Sequence, residues 1–366
     1  MAQALALLLN ALAAMASFVW APATAAAPQT PAPGWATRPL PQPSPSKLFS
    51  GASSHFTTST VLGMLVVAGA RTKRKAQGGT GLRPARFVGL PHETYQEWVQ
   101  KAQDLQEQTW SKTFYAAFTA GCYVGMAALL ALVIGGNETA NPVFQKLLYA
   151  ALFPVSMLLI TQSGAQLFTG NSAIMAIGKL EGRVTLKGLL RNWGVTYLGN
   201  LCGCLAMTGV ALYTGLLAGG AGSMAAQMVI PKCSETFGQA VVNGAMCNWL
   251  LCAAVWLGTM ARGMSGKMVG FWFPISMFVG IGFEHSISNM FMLSAGLASG
   301  APSTLATVFW KNLIPVTIGN VLAGAVIVGG GMSYAFGRLG RIRKHEAVAQ
   351  ESKTQVTGIA GSLVKN

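Results

Sequence analysis

The sequence predicts an all-α integral membrane protein of six transmembrane helices, and three observations carry that prediction. Of 366 residues, 52% are hydrophobic and only 10% charged, with 44 glycines and a mean hydropathy of +0.47, whereas soluble domains carry about 25% charged residues. Six apolar runs, near residues 112–135, 143–178, 192–217, 237–261, 268–299 and 307–336, are each long enough to cross about 30 Å of hydrocarbon. The chain also repeats itself. "FPVSM" at 153–157 returns as "FPISM" at 273–277, and Asn192, Gly199 and Asn200 return as Asn312, Gly319 and Asn320, both at an offset of 120 (273 − 153 and 312 − 192).

The repeats, about 111–220 and 237–338, hold three spans each. Three is odd, so the second copy is expected to be inverted in the bilayer, a plan common among transporters and channels. The connections after spans two and four (Lys179, Arg183, Lys187, Arg191; Arg262, Lys267) and the polar tail, 339–366, are basic. This places both termini on the cytoplasm-like side. The formal charge of +15 thus reads as a topology signal and not as a nucleic-acid surface.

Spans two and five are too long for one crossing and contain polar, helix-disfavouring stretches, "SGAQLFTGNS" (163–172) and "GFEHSISNMF" (282–291). Both helices are expected to be interrupted there. Non-helical backbone at membrane depth is tolerated only where it lines a cavity or is buried in protein, so both breaks should face a pore. Glu284 and His285 are the only acid and the only imidazole deep inside an apolar run. The six cysteines form no CxxC pair, and no nucleotide motif, metal cluster or nucleophile triad is present. An enzyme is therefore disfavoured and no cofactor or metal is expected.

No acid occurs before Glu93. The stretch 1–80 joins a signal-like apolar segment to a Pro-, Ser- and Thr-rich one, and resembles the bipartite leader of proteins sent to plastids bounded by extra membranes; the alternative destination is the plasma membrane. Residues 93–110 follow as an amphipathic helix lying along the membrane, with Tyr95, Trp98, Val99, Ala102 and Leu105 at helical spacing.

"GAQLFTGN" (164–171), "GAMCNWLLCAAVW" (244–256), "GFEHSISNMF" (282–291) and the "YLGN" and "TIGN" elements, in this order within six spans, resemble the formate/nitrite transporters over about residues 93–338. The resemblance implies an aquaporin-like homopentamer with one pore per protomer, passing small monovalent anions such as nitrite and formate, with protons and the lipid bilayer as its other partners. By motif it implies a central pore and proton relay of His285, Asn248 and Thr169, a supporting carboxylate at Glu284 and an entrance lysine at Lys232. It further implies apolar constrictions at Leu167, Phe168, Phe153 and Phe278. Gln166 stands where the family often has an acid.

An imidazole changes charge near pH 6.5, so His285 could protonate an arriving anion; the rival is a neutral ring that only donates a hydrogen bond. Glu284, which would repel anions if it lined the pore, is expected to satisfy backbone groups of the broken helix or to brace a subunit contact. The competing class is a structural membrane subunit that retained the fold without transport.

Overall fold

The computed structural model describes residues 87–343 except Thr139. The leader assigned to 1–80 and most of the tail lie outside the described residues. The helices referred to below are, in order, α1 (Pro91–Glu107), α2 (Trp110–Asn137), α3 (Pro142–Ser163), α4 (Phe168–Leu180) and α5 (Leu186–Tyr213), then α6 (Gly220–Ser234), α7 (Phe237–Met260), α8 (Met264–Ile281), α9 (Ser286–Ala298) and α10 (Leu305–Phe336). Among the described residues, α2, α3, α5, α7, α8 and α10 are long and apolar enough to cross a membrane.

The helix starts follow local sequence. Hydroxyl side chains cap four of them: Thr109 accepts from the Lys112 N–H, Thr185 from Gly188, Thr236 from Gln239 and Thr304 from Thr307. At α3 Asn141 Oδ1 accepts two N–H groups ahead of Pro142, whose missing N–H costs nothing in a first turn. The two FP motifs behave differently. Phe153 and Pro154 divide α3 into Pro142–Leu152 and Val155–Ser163, whereas Pro274 is carried inside α8.

The predicted interruptions fall as two short gaps. Helix α3 stops at Ser163 with Gly164 left-handed (φ 75°), and α4 starts at Phe168; α8 stops at Ile281 with Gly282 left-handed (φ 101°), and α9 starts at Ser286. The gaps are shorter than the polar stretches that announce them, because "FTGNS" and "SISNM" already belong to the following helices. Helices α4 and α9, 13 residues each, are about 20 Å long at 1.5 Å per residue, too short to span the bilayer. Most of their residues are buried, on all sides, so the two short helices form the centre of the bundle.

Close packing around them uses glycine. A Cβ on Gly121 would strike the Asn200 backbone at the α2–α5 contact, and one on Gly319 would strike Val241 at the α7–α10 contact. Helix α10 contains two π-helical stretches, Phe309–Leu313 and Ala323–Gly330, which the apolar pattern does not announce.

Helix α1 buries its stripe of Tyr95, Trp98, Val99, Ala102 and Leu105 against protein. Trp98 Nε1 donates to Thr259 Oγ1 (3.1 Å), and Ala102 meets α4 at Gly178. The stripe is apolar because it closes the end of the bundle. Tyr95 also donates to Glu181 Oε1 (2.8 Å), which accepts in addition from Ser333 (3.1 Å) and the Arg338 N–H (2.6 Å), while Arg341 pairs with Oε2 (3.2 Å).

Burial raises the Glu181 carboxyl, but the Arg338 N–H, the two hydroxyls and Arg341 outweigh it and hold it below the usual carboxylate range. The folded value is lower than the unfolded one, so this stabilisation is complete at neutral pH and is lost as pH falls through the lowered value. Glu181→Gln should cost about 2 kcal/mol at neutral pH, read as a lower unfolding midpoint in detergent, with the difference from wild type closing in acid. A gap that persists unchanged in acid would refute this account.

Candidate functional site

The two gaps are built alike. Asn200 Oδ1 accepts the Phe168 N–H (2.9 Å) while its Nδ2 donates to the carbonyls of Gln166 (2.9 Å) and Ala117 (2.7 Å). Asn320 Oδ1 accepts the Ser286 N–H (3.0 Å) while its Nδ2 donates to the carbonyls of Glu284 (3.1 Å) and Gly244 (2.7 Å). Each asparagine supplies the backbone partners that an interrupted helix lacks.

Beside each gap a second cluster recurs. Asn171 Nδ2 donates to Gln166 Oε1 (3.0 Å) and Asn192 Oδ1 (3.0 Å), and Asn192 Nδ2 donates to Gln166 Oε1 (3.1 Å). Asn289 Nδ2 donates to Glu284 Oε2 (2.6 Å) and Asn312 Oδ1 (2.7 Å), and Asn312 Nδ2 donates to Glu284 Oε2 (3.0 Å). Gln166 is therefore the counterpart of Glu284, at an offset of 118 (284 − 166). The remaining oxygen of Glu284 accepts from Lys232 Nζ (2.6 Å), and the remaining nitrogen of Gln166 donates to Gln108 Oε1 (2.7 Å). One gap is braced by an ion pair, the other by two neutral amides.

The helices after the gaps meet through their first turns. Thr169 Oγ1 lies 2.9 Å from His285 Nε2, and His285 Nδ1 accepts the Ser288 N–H (3.1 Å), capping α9. A nitrogen that accepts carries no proton, so these contacts assign a neutral ring whose Nε2–H donates to Thr169. Both side chains are buried. The positive ends of two helix dipoles converge on this contact.

Two cavities approach it. One, of about 480 Å³, is lined by Lys146, Lys232, Glu235, Phe278 and His285 among others. The second, of about 260 Å³, is lined by Lys101, Leu167, Gly170, Asn171 and Ile174 among others. No residue lines both. Thr169, flanked by Leu167 and Gly170 of the second cavity and bonded to His285 of the first, links them.

The other sequence-predicted residues separate. Lys232 does line the first cavity, but as the partner of Glu284, not as a free entrance charge. Glu284 accepts from side chains of Lys232, Asn289 and Asn312; the backbone of the gap is satisfied by Asn320 instead. Asn248 is fully buried and donates to Ser172 Oγ (3.0 Å) and to the carbonyls of Asn320 (2.6 Å) and Thr169 (3.3 Å), so it braces α4 against α10.

Of the predicted constriction, Phe278 and Leu167 stand on cavity walls, Phe278 with its ring 6.0 Å from that of His285. Phe168 packs edge-on against Tyr197 (5.0 Å) and Phe153 stacks on Tyr149 (6.4 Å). Sequence reasoning passed over Gln108, Lys146 and Glu235. The repeat does not announce Gln108: it pairs with Gln166 as Lys232 pairs with Glu284, but it lies 124 positions before Lys232 (232 − 108), outside both the 118- and the 120-residue offsets.

The profile of the formate/nitrite transporter family matches residues 92–334. A probable formate transporter of Methanothermobacter thermautotrophicus is 38% identical over 238 residues, 59% of this chain and 86% of that protein. The formate channel FocA of Escherichia coli strain K12 is 33% identical over 240 residues, 60% and 84% of the two chains. Formate-nitrite transporter 2 of Toxoplasma gondii is 33% identical over 261 residues, 68% of this chain and 56% of that protein. Among solved structures, a pentameric formate channel with formate bound superposes with a TM-score of 0.56 at 33% identity, over 62% of this chain and 97% of that one. With six membrane-capable helices among the described residues, two short buried helices at their centre and a match over most of the described chain, the protein belongs to the formate/nitrite transporter family of anion-transporting membrane proteins.

Proposed function

We propose that this protein carries nitrite and formate across its membrane together with a proton, each anion crossing the narrow centre as its neutral acid. The observation that carries the reading is the Thr169–His285 contact, where two helix N-termini meet between two cavities. An anion entering a dry, narrow passage loses its hydration at a cost of several kcal/mol or more. The helix ends and cavity lysines draw it in, while Phe278 and Leu167 favour a neutral species.

The geometry supports the neutral-donor role for His285 over the relay role. Protonating Nδ1 would require breaking the cap it forms on α9. The ring instead orients Thr169, whose hydroxyl proton is left to meet the permeating oxygen. The pentamer, the inverted relation of the repeats and a plastid address for the leader belong to the same reading, and a fluorescent fusion to the first 80 residues tests the address.

Uptake of nitrite and formate into liposomes holding the purified full chain tests the function. Thr169→Val keeps the shape and removes the hydroxyl, and should slow uptake about tenfold, the equivalent of one hydrogen bond of ~1.4 kcal/mol. His285→Asn, which keeps a side chain able to cap α9, should slow it similarly. Wild-type rates in both variants would sink this centre, and no uptake by wild-type protein would sink transport itself.

A further inference from the structure

We propose that Glu235 is the proton donor that converts the arriving anion to its neutral acid in the vestibule of the first cavity. The inference deepens the proposed function and rests on it. His285 is unsuited to supply the proton, because its Nδ1 caps α9 and its Nε2–H is given to Thr169. Another group on the same cavity wall is placed to do so.

Glu235 sits in the turn between α6 and α7, at the C-terminal end of α6. Its Oε1 accepts from Asn243 Nδ2 (2.9 Å), while its Oε2 is buried with no hydrogen-bond partner. A buried carboxylate oxygen without a donor is costly when ionised; a proton on it removes that cost.

The charged and titratable groups facing it support loading and unloading. Lys146 and Tyr149 of α3 line the same cavity, as do Lys232 of α6 and Glu284 and His285 of the second gap. Tyr149 donates to Met292 Sδ (3.3 Å) and Lys232 is neutralised by Glu284, which leaves Lys146 and Glu235 as opposite charges that form no ion pair among the described residues. Burial and the Glu284 carboxylate hold the Glu235 carboxyl above the usual range, and they outweigh the Asn243 bond and the Lys232 charge. With Glu235 protonated, the wall turns net positive and attracts an anion.

The step balances. The O–H bond of Glu235 breaks, a bond forms between that proton and the anion's oxygen, and the electron pair of the broken bond stays on the Glu235 carboxylate. The neutral acid moves on past Phe278, and a hydronium ion from solvent at the mouth returns a proton to Glu235, leaving water.

The test is formate uptake by the full chain in liposomes at fixed total formate, from about pH 4 to pH 8, a window holding carboxylate and imidazole titrations. Wild-type uptake should rise as pH falls and level off where a carboxyl, not an imidazole, becomes protonated. Glu235→Gln should reduce acid-side uptake about a hundredfold, the low end of what a positioned general acid contributes, and flatten the profile. Equal uptake by Glu235→Gln and wild type at every pH would overturn the proposal, since neutral acid formed in bulk water would then suffice.

Should the glutamine variant fail to assemble, Glu235→Asp decides the matter. A shifted levelling point supports the donor role, and an unshifted one overturns it. Absence of wild-type uptake would instead remove the transport reading on which the proposal stands.

Discussion

Asn320→Ala is expected to abolish transport by destroying the second gap, with the largest stability loss of any single substitution considered. The side chain is fully buried and accepts the Ser286 N–H while donating to the Glu284 and Gly244 carbonyls. Alanine orphans two backbone groups of the gap, the Ser286 N–H and the Glu284 carbonyl, where neither lipid nor a neighbouring helix replaces the lost bonds, and takes a second partner from the Gly244 carbonyl inside α7. At about 1–3 kcal/mol for each orphaned group, the total reaches about 2–6 kcal/mol, a large fraction of a whole domain's stability. Asn200→Ala should do the same to the first gap. Size-exclusion profile and unfolding midpoint in detergent are the readouts; a folded variant with wild-type uptake would refute the bracing role.

The second large effect is expected at Glu284, and the molecule itself supplies the rescue. Glu284→Gln removes the charge that Lys232, Asn289 and Asn312 all address. Breaking a buried pair costs about 3–5 kcal/mol when one charge is left unpaired. Lys232 is 21% exposed, so part of that cost is relieved by water and the lower end applies.

The counterpart gap already runs on Gln108 and Gln166 in the same arrangement. Lys232→Gln combined with Glu284→Gln should therefore recover most of the lost stability, although each single variant is damaging. A double variant no more stable than Glu284→Gln alone would mean that the two gaps are not interchangeable in this respect. Differential scanning fluorimetry on the four proteins closes the double-mutant cycle.

Much of this was legible in the sequence, for physical reasons. Asn192, Asn200, Asn312 and Asn320 showed themselves as recurring polar residues in apolar helices, and such residues persist where they satisfy buried backbone. Gly164 and Gly282 marked the interruptions because a left-handed residue favours glycine. His285 and Thr169 stood out by motif and do meet.

What was not legible depends on which way a side chain turns. Phe153, Phe168, Phe278 and Leu167 occupy similar apolar contexts, and nothing in those contexts says that Phe278 lines one of the two cavities and Leu167 the other. Lys232 and Glu284 are 52 positions apart, so their pairing is a tertiary fact. The apolar stripe of α1 fits lipid and protein equally well, and hydrophobicity alone does not distinguish the two. Gln166 looked like a lost charge; its bonds to Gln108, Asn171 and Asn192 show a substituted brace.

The π-helical stretch at Phe309–Leu313 bears on how the two halves tolerate length changes. From Asn171 to Asn192 the chain advances 21 positions, but from Asn289 to Asn312 it advances 23, although both pairs close the same hydrogen bond (192 − 171 and 312 − 289). Asn312 lies inside that stretch. A π turn accommodates a residue that an α turn would not, so the widened turn takes up surplus chain and keeps the amide aimed at its partner. Beyond it the register is the same in both halves, since Asn200 follows Asn192 and Asn320 follows Asn312 by eight positions each (200 − 192 and 320 − 312). The irregular turn thus acts as a register adjuster, and it is the place where the second half absorbs a change of length without turning Asn320 off the gap it closes.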